Sequence, residues 1–275
     1  MVIAIDLGGT KIRAGLVEGH LVTRALYEPC KATGTEDEVV SQLTGMAKSL
    51  MNNEVKAVCI GVPSVVDAEK GIVYDVTGIP SWKEVHLKEK MEKSLGVPVF
   101  VDNDCNCFAL GEYYFGKGKG SRSLLGIALG TGVGSGLILD GHLYRGNNTG
   151  AGEIGAIPYL DKDYEYYCSS RFFTGRGTTG KDAAQKACEG DAEAIALYEE
   201  FGGHVGQLMK LAMYAYDPSY IIIGGSIANA FPLFEKNMKK AMKDFAFGGS
   251  LLNINILRSE SDYIMLLGAS TLCAL

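Results

Sequence analysis

Short apolar runs open the chain and are separated by glycine-rich turns. Residues 2–6, 12–17 and 21–26 are rich in β-branched and aliphatic side chains. Runs of this length between turn residues predict strands, and three in succession predict a β-meander. Thr35 followed by Glu38 predicts a capping box that opens a helix reaching about residue 51.

Strands and helices alternate along the rest of the chain. Further predicted strands are 57–60, 97–101, 124–129, 137–139 and 220–223, and further predicted helices are 85–95, 102–115 after its first residues, and 191–216. This alternation predicts an α/β protein.

The pattern of strand, glycine turn and strand occurs twice. It begins at residue 2 and restarts at 124, after the glycine-rich and charged segment 117–121, which we interpret as a linker. The second glycine turn is expected to span 130–136. We therefore expect two similar domains, 1–117 and 118–261, with a C-terminal helix at 262–275 completing the first.

Composition excludes several classes of protein. Hydrophobic residues make up 47% of the 275 positions, which is enough for a large core. The formal net charge of −6 argues against a nucleic-acid-binding surface. No apolar run is long enough to span a membrane, and the N-terminus lacks the basic region of a signal peptide. Seven scattered cysteines without a CxxC pair predict a reduced, cytoplasmic protein with buried thiols.

Glycines are unusually frequent and cluster after strands. There are 36 of them, about twice the usual share. Apolar strands end at Gly8, Gly130 and Gly224. Because glycine has no Cβ, backbone N–H groups in such turns can converge on a phosphate. A tight hairpin that merely needs glycine is the alternative for any one turn, but three such turns favour phosphate binding. Asp6 at the end of the first strand could hold Mg²⁺ through water.

Two glycine-rich segments mimic nucleotide motifs without completing them. Residues 175–181 nearly spell a Walker A loop, but Asp182 stands where that motif needs Ser or Thr, and no apolar strand precedes it. We expect a loop leading into a helix. Residues 130–136 have glycine at every second position and are not a dinucleotide fingerprint.

Six segments taken together resemble the ROK family of sugar kinases and repressors. They are Asp6-Leu7-Gly8-Gly9-Thr10-Lys11, Gly61-Val62-Pro63, Val101-Asp102-Asn103-Asp104, Leu129-Gly130-Thr131-Gly132-Val133-Gly134, Gly150-Ala151-Gly152-Glu153-Ile154-Gly155 and Ile223-Gly224-Gly225. The resemblance implies the actin-like ATPase fold, two RNase H-like domains with an active-site cleft between them. It also implies a homodimer.

The same resemblance assigns expected roles to individual residues. It implies that ATP phosphates lie against Gly8, Gly9, Thr10 and Lys11 and against Gly130, Thr131 and Gly132, and that adenosine lies against Gly224 and Gly225. The sugar-contacting residues that it implies are Asn103, Asp104, Glu153, Pro63, Ser64 and Gly78, the last in place of an Asn.

Asp104 is the expected general base, because a sugar hydroxyl must lose its proton as the γ-phosphoryl arrives. Without the family context, Asn103 and Asp104 would be interpreted as helix caps, since Asn and Asp commonly occur there. Glu153 could likewise be a helix N-terminal acid that interacts with the helix dipole.

The chain departs from the family pattern at the far end of the sugar pocket. Ala156 stands where family glucokinases have a histidine that binds sugar and zinc, and Ser170 stands where they have a second sugar-binding glutamate. In the family, these two side chains hold the hydroxyls around carbons 1 and 2. Only Cys168 remains of the zinc-binding cysteines, and Cys105 and Cys107 are expected in the core. We therefore expect no zinc and weak discrimination at carbons 1 and 2, unless Tyr166, Tyr167 or Phe172 refills the space.

The resulting hypothesis is an ATP- and Mg²⁺-dependent hexose kinase that phosphorylates the 6-hydroxyl. An N-acetylhexosamine or β-glucoside kinase of the same family is the alternative. From another class, a catalytically inactive sugar-binding or regulatory protein would also explain the departures. A repressor is disfavoured because only five residues precede Asp6, too few for a helix-turn-helix module.

Overall fold

The computed structural model describes all 275 residues, which form two compact units. The first unit comprises Met1–Gly120, Leu143–Ala151 and Glu260–Leu275, and the second comprises Ser121–His142 and Gly152–Ser259. Leu143–Ala151 lies within the range 118–261 expected for the second domain. The domain ranges themselves stay a prediction.

The first unit is built on a five-stranded sheet that includes the expected meander. Its elements are β1 (Val2–Leu7), β2 (Lys11–Glu18), β3 (Leu21–Pro29), α1 (Glu36–Leu50), β4 (Val58–Val62), β5 (Val65–Asp67), β6 (Ile72–Tyr74), β7 (Glu84–His86), α2 (Leu87–Leu95), β8 (Val99–Asn103) and α3 (Asp104–Tyr114). The order in the large sheet is β3-β2-β1-β4-β8, and β5, β6 and β7 form a small sheet of their own.

Three strands of the large sheet run parallel, and this positions the candidate site. β1 pairs with β4 and β4 pairs with β8, each in parallel register. Their carboxyl ends therefore meet at one edge of the sheet. The turn after Leu7, the segment Pro63-Ser64 and helix α3 all leave from that edge.

The sequence predicts the start of α1 correctly but predicts that α2 begins two residues too early. The Thr35 side chain accepts from the Glu38 N–H at 3.3 Å, and the Glu38 carboxylate accepts from the Thr35 N–H at 2.7 Å, so the capping box is confirmed. The helix expected over 85–95 begins only at Leu87, because Val85 pairs with Val73 in the β6–β7 hairpin. Cross-strand pairing of two fully buried valines outweighs the helical spacing there.

The second unit repeats the topology of the first. Its elements are β9 (Leu124–Leu129), β10 (Val133–Leu139), β11 (His142–Leu143, at the unit boundary), β12 (Pro158–Tyr159), β13 (Lys162–Asp163), α4 (Tyr164–Cys168), α5 (Ser170–Thr174), α6 (Gly180–Cys188), α7 (Ala192–Tyr216), β14 (Tyr220–Gly224), α8 (Phe231–Ala241), α9 (Gly248–Asn253) and β15 (Asn255–Arg258). The sheet order is β11-β10-β9-β14-β15, with β9 antiparallel to β10 and parallel to β14. This is the internal repeat that the sequence indicated.

The second glycine turn is shorter than expected. β10 begins at Val133, and Gly134 and Gly136 pair with Ala128 and Gly126 of β9. The expected turn over 130–136 is therefore wrong beyond Gly132. These two glycines belong to a strand, because ladder hydrogen bonds hold them in extended conformation.

Close helix packing in both units depends on glycine. A Cβ atom added to Gly202 of α7 would lie 2.5 Å from the Phe234 carbonyl oxygen of α8. In the first unit the final helix, α10 (Ile264–Ala269), packs on α3, and a Cβ atom on Gly268 would lie 1.7 Å from the Cys107 carbonyl oxygen. α10 covers part of the expected C-terminal helix 262–275, and Leu272–Ala274 forms a separate 3₁₀ turn.

Candidate functional site

The first glycine turn is a tight connection between β1 and β2. The Gly8 N–H donates to the Lys11 carbonyl oxygen at 3.0 Å, which closes the turn. A Cβ atom on Gly9 would lie 3.2 Å from the Cα of Gly78, so the loop that carries Gly78 packs directly on the turn. Thr10 and Lys11 are exposed. The turn thus presents a hydroxyl and an ammonium group to solvent above a close-packed backbone.

Asp6 lies beneath this turn next to a cation. Its carboxylate is 3.7 Å from the Arg13 Nε, its register partner on β2. Burial raises the pKa of Asp6, and the nearby charges of Arg13 and Lys11 lower it in part. A buried carboxylate that is incompletely neutralised favours a further cation nearby.

Asn103 performs the capping role that its position suggests. Its side-chain oxygen accepts from the N–H groups of Cys105 at 2.8 Å and Asn106 at 3.1 Å, the first turn of α3. Its side-chain nitrogen donates to the Ser64 carbonyl oxygen at 3.1 Å. Asn103 therefore ties the segment after β4 to the start of α3, whatever other contact it makes.

Asp104 is the first residue of α3 and is half-buried. One of its carboxylate oxygens accepts from the Cys105 N–H at 2.8 Å. Gly61 of β4 lets this helix start approach the sheet, because a Cβ atom there would lie 3.4 Å from the Cα of Asp104 and 3.2 Å from the Cys107 sulfur. The sheet edge thus holds Asp104 at a fixed place.

Pro63 and Ser64 form a constrained link between β4 and β5. The Ser64 N–H donates to the Val62 carbonyl oxygen at 3.0 Å, which makes a tight turn around Pro63. The Ser64 hydroxyl donates to the Tyr74 carbonyl oxygen. Together with the bond from Asn103, these contacts fix Ser64 at the same edge as Asp104.

An ion pair between a buried carboxylate and a partly exposed arginine lies beside Asp104, and the sequence does not predict it. Asp102 lies at the end of β8, and its carboxylate accepts from Arg145 Nε at 2.7 Å. The sequence does show an acidic residue at the end of an apolar strand, and a buried carboxylate of this kind needs a charged or hydrogen-bonding partner. Sequence reasoning could not name Arg145 as that partner, because 43 residues separate the two.

In the second unit, Glu165 is fastened to the glycine turn between β9 and β10. Its carboxylate accepts from the Val133 N–H at 3.2 Å and pairs with Arg171 at 3.0 Å. A Cβ atom on Gly132 would lie 2.4 Å from the same carboxylate. A larger residue at 132 would have to displace the end of the Glu165 side chain from this turn. Glu165 is a further residue at this turn that the sequence does not reveal.

Glu153 is placed beside β10 by the glycines on both sides of it. A Cβ atom on Gly152, whose φ is +95°, would lie 2.4 Å from the Ser135 carbonyl oxygen. One on Gly155 would lie 2.4 Å from the Val133 carbonyl oxygen. The Glu153 side chain is exposed, but surrounding protein limits its hydration and raises its pKa, and the charge of Glu165 raises that pKa further.

The third glycine turn follows β14. Gly225 has a φ of +84°, and a Cβ atom there would lie 2.3 Å from the Leu129 carbonyl oxygen of β9. The Ser226 hydroxyl that follows lies 3.8 Å from the Cβ position of Gly130. The second unit therefore brings Gly224, Gly225 and the turn that contains Gly130, Thr131 and Gly132 together.

The segment that would carry the family's zinc loop is an aromatic cluster instead. Tyr159 stacks on Tyr164 with ring centroids 4.3 Å apart, and it contacts Tyr167 edge-on at 5.4 Å. Cys168 and Phe172 are fully buried in the core. Phe172 is therefore not available to refill the expected sugar pocket, whereas Tyr166 and Tyr167 remain partly exposed.

Ser170 lies next to the second glycine turn, where its N–H donates to the Gly130 carbonyl oxygen at 2.8 Å. No three His, Cys, Asp or Glu side chains are grouped so that they could hold a metal ion. Among the seven free cysteines, Cys188 and Cys273 are exposed, so not every thiol is buried as expected. No helix combines the length and apolarity that crossing a bilayer requires.

Comparison with known proteins gives a consistent result over the whole chain. The family model that matches is described as "ROK family" and covers residues 2–274. The chain is 31% identical over 287 residues to a glucokinase of Streptomyces coelicolor, with 91% of this chain and 89% of the relative covered. It is 30% identical over 272 residues to an N-acetyl-D-glucosamine kinase of Photobacterium profundum, with 88% and 89% covered.

The fold also matches a solved structure of similar size. A ROK family glucokinase from Streptomyces griseus, crystallised in complex with glucose and AMPPNP, is 26% identical and superposes with a TM-score of 0.84. The match covers 98% of each chain.

Proposed function

The chain belongs to the ROK family, and from this premise we propose that it transfers the γ-phosphoryl group of ATP to the 6-hydroxyl of a hexose. Family membership and the actin-like ATPase fold, both expected from the sequence, are confirmed. The ATP requirement is supported by the AMPPNP bound to the similar glucokinase.

One observation carries the proposal. The parallel strands β1, β4 and β8 end at one sheet edge and deliver three groups there: the turn after Asp6, the Pro63-Ser64 link and Asp104. Phosphoryl transfer needs phosphate positioning and a base for the attacking hydroxyl, with little further covalent chemistry from the protein. This edge supplies candidates for both needs.

Asp104 is the proposed general base. Its carboxylate would accept the proton of the sugar 6-hydroxyl as the hydroxyl oxygen attacks the γ-phosphorus. The helix start fixes its backbone and the Cys105 N–H holds one carboxylate oxygen, so the carboxylate does not need to be ordered when the substrate binds. Asn103, Pro63 and Ser64 would line the same end of the sugar.

Phosphate positioning is assigned to glycine turns in both units. In the first unit, Gly8 and Gly9 would admit phosphate oxygens to the backbone while Thr10 and Lys11 add a hydroxyl and a charge. In the second unit, Gly130, Thr131 and Gly132 would do the same, with Gly224 and Gly225 against the adenosine. Glu153 would accept hydrogen bonds from sugar hydroxyls.

The acidic groups present fit Mg²⁺ bound together with the nucleotide. Mg²⁺ is commonly held by one or two carboxylates plus substrate phosphates rather than by an all-protein cage. Asp6 suits this arrangement, because its carboxylate is largely but not fully covered and its cationic partner lies 3.7 Å away. The metal would neutralise phosphate charge, and Asp6 would hold it through water.

An N-acetylhexosamine or β-glucoside kinase is the second candidate. Ala156 and Ser170 are smaller than the family residues they replace, and the similarity to an N-acetyl-D-glucosamine kinase favours a site that tolerates a substituent. A catalytically inactive sugar-binding protein is the third. Retention of Asp6, Lys11 and Asp104 disfavours it.

Release of ADP over a panel of sugars tests the proposal directly. We expect sugar-dependent turnover by the wild-type protein and a loss of about 10²–10⁴-fold in kcat for Asp104→Asn, because asparagine keeps the shape but cannot take the proton. Asp37→Asn, in the exposed first turn of α1, is the control and should retain wild-type kcat. No turnover with any sugar, or half of the wild-type kcat in Asp104→Asn, would contradict the proposal.

A further inference from the structure

Asp102 is the most deeply buried carboxylate at the candidate site. Its side chain is only 3% exposed. One oxygen accepts from the Asn103 N–H at 2.7 Å and from the Asn106 side-chain nitrogen at 2.8 Å. The other oxygen accepts from Arg145 Nε at 2.7 Å. Asp102 and Asn103 immediately precede α3, and Asn106 belongs to its first turn. The hydrogen bonds of Asp102 therefore surround the start of the helix, where Asp104 lies.

Arg145 reaches Asp102 from a segment that is distant in sequence. It belongs to Leu143–Ala151, which packs as part of the first unit although the chain on both sides of it belongs to the second. The Ala151 N–H donates to the Arg145 carbonyl oxygen at 3.2 Å, so the segment folds back on itself around this residue. Arg145 is 31% exposed, which leaves it partly hydrated while Asp102 is not.

Acidic side chains outnumber basic ones around the start of α3. Asp6 faces it from β1, Asp102 and Asp104 come from β8 and α3, and Arg145 comes from Leu143–Ala151. Burial raises the pKa of the Cys107 thiol on α3, the three carboxylates raise it further, and Arg145 lowers it. Arg13 and Lys11 accompany Asp6 on the β2 side. Near the start of α3, Arg145 is therefore the one positive charge that acts together with the negative charges of Asp6, Asp102 and Asp104 on the Cys107 thiol.

We propose that Arg145 is a positioning residue for phosphoryl transfer, which neutralises Asp102 and thereby keeps Asp104 both correctly placed and ionised. The proposal rests on the function proposed above. With its charge compensated by Arg145, the Asp102 carboxylate can accept from the Asn103 N–H and the Asn106 side chain without leaving an uncompensated negative charge beside Asp104. Without Arg145, the negative charge of Asp102 would disfavour a second negative charge on Asp104.

A pH profile distinguishes this role from a purely structural one. We expect Arg145→Met to move the acid limb of the kcat–pH profile to higher pH by about one unit, the lower end of shifts caused by a nearby like charge. Asp102→Asn combined with Arg145→Met removes both charges and should return the limb towards its wild-type position. Arg145→Lys should restore it in part, since lysine keeps the charge but not the planar geometry.

Controls separate electrostatics from folding. Lys90→Met removes the pair with Glu36 on another face of the first unit and should leave the profile unchanged. Thermal unfolding of each variant reports stability, and the double variant keeps the test decisive if Arg145→Met alone folds poorly. The sugar KM should change much less than kcat in Arg145→Met.

Two outcomes would overturn the inference, and they differ from failure of the proposed function. An unshifted acid limb in folded Arg145→Met means that Arg145 has only a structural role. A shift that persists in the double variant means that Asp102 is not the source. Absence of sugar-dependent turnover in the wild-type protein would remove the proposed function and this inference with it.

Discussion

Gly9 and Gly78 touch through their backbones. A Cβ atom added to Gly78 would lie 3.1 Å from the Cα of Gly9, which is closer than side chains normally approach. The family resemblance implies that Gly78 lies at a sugar-contacting position, in place of an asparagine. The structure adds a packing reason for glycine at this position, because a larger residue would press on the glycine turn between β1 and β2.

Gly78→Ala is therefore expected to weaken nucleotide binding rather than improve sugar binding. The added methyl must displace the Gly9 turn by a few tenths of an ångström, and we expect the KM for ATP to rise about threefold to tenfold, or roughly 1 kcal/mol of binding. Steady-state kinetics with each substrate varied in turn measures this. Gly45→Ala on α1, where an added Cβ meets nothing within 4 Å, is the matched control. A larger change in sugar KM than in ATP KM would contradict the interpretation.

Glu165→Gln should extend activity to lower pH. The Glu165 charge is one of the two causes that raise the pKa of Glu153, the other and larger being the limited hydration of its carboxylate. Removing that charge lowers the pKa of Glu153, so Glu153 stays ionised and able to accept sugar hydroxyls at lower pH. The acid limb of kcat/KM for the sugar should move to lower pH.

Glutamine at 165 keeps an oxygen that can accept from the Val133 N–H, so the turn itself should be retained. Glu200→Gln is a suitable control, because Glu200 also pairs with an arginine, Arg176, in the second unit. A limb that stays in place, or moves upward, would show that Glu153 ionisation does not govern sugar binding.

Mg²⁺ should be required for turnover, and the purified protein should contain no structural zinc. Cys168 is fully buried, and burial raises the pKa of its thiol, whereas zinc binds the thiolate. Elemental analysis of protein purified without a metal-affinity tag tests the second statement. Cys168→Ala should cost about 1 kcal/mol of stability through lost packing and leave kcat unchanged. Stoichiometric zinc would contradict this view of Cys168.

Discrimination among sugars should be weak at the end of the pocket opposite the 6-hydroxyl. A site that hydrogen-bonds a hydroxyl rejects analogues lacking it strongly, and the two family side chains for that purpose are replaced by Ala156 and Ser170. Glucose should be a modest substrate, and a 2-substituted hexose or a β-glucoside should do comparably or better.

The measurement is kcat/KM for glucose, 2-deoxyglucose, an N-acetylhexosamine and a methyl β-glucoside, side by side. A preference for glucose above about 10³-fold over all three would show that other residues have replaced the lost contacts. Tyr166 and Tyr167 would then be the first candidates, because Phe172 is fully buried.

Local signals in the sequence were enough to locate the repeating elements and the start of each glycine turn. The Thr35 capping box, the first meander and the long helix α7 are determined by residues close together in the chain, and each was placed to within a few residues. The start of each glycine turn follows from the same logic, whereas the end of the second does not, because Gly134 and Gly136 pair in a strand.

Tertiary structure alone decided which distant residues lie together within each unit. Asp102 and Arg145 are 43 residues apart, Glu165 reaches the turn that begins at Gly130, and Gly78 packs on Gly9. It also decided the boundary of α2, where pairing of Val85 with Val73 overrode a helical pattern. A sequence records that Asp102 needs a buried partner, but only the folded chain specifies the partner, because many chain paths could bring some cation to that carboxylate.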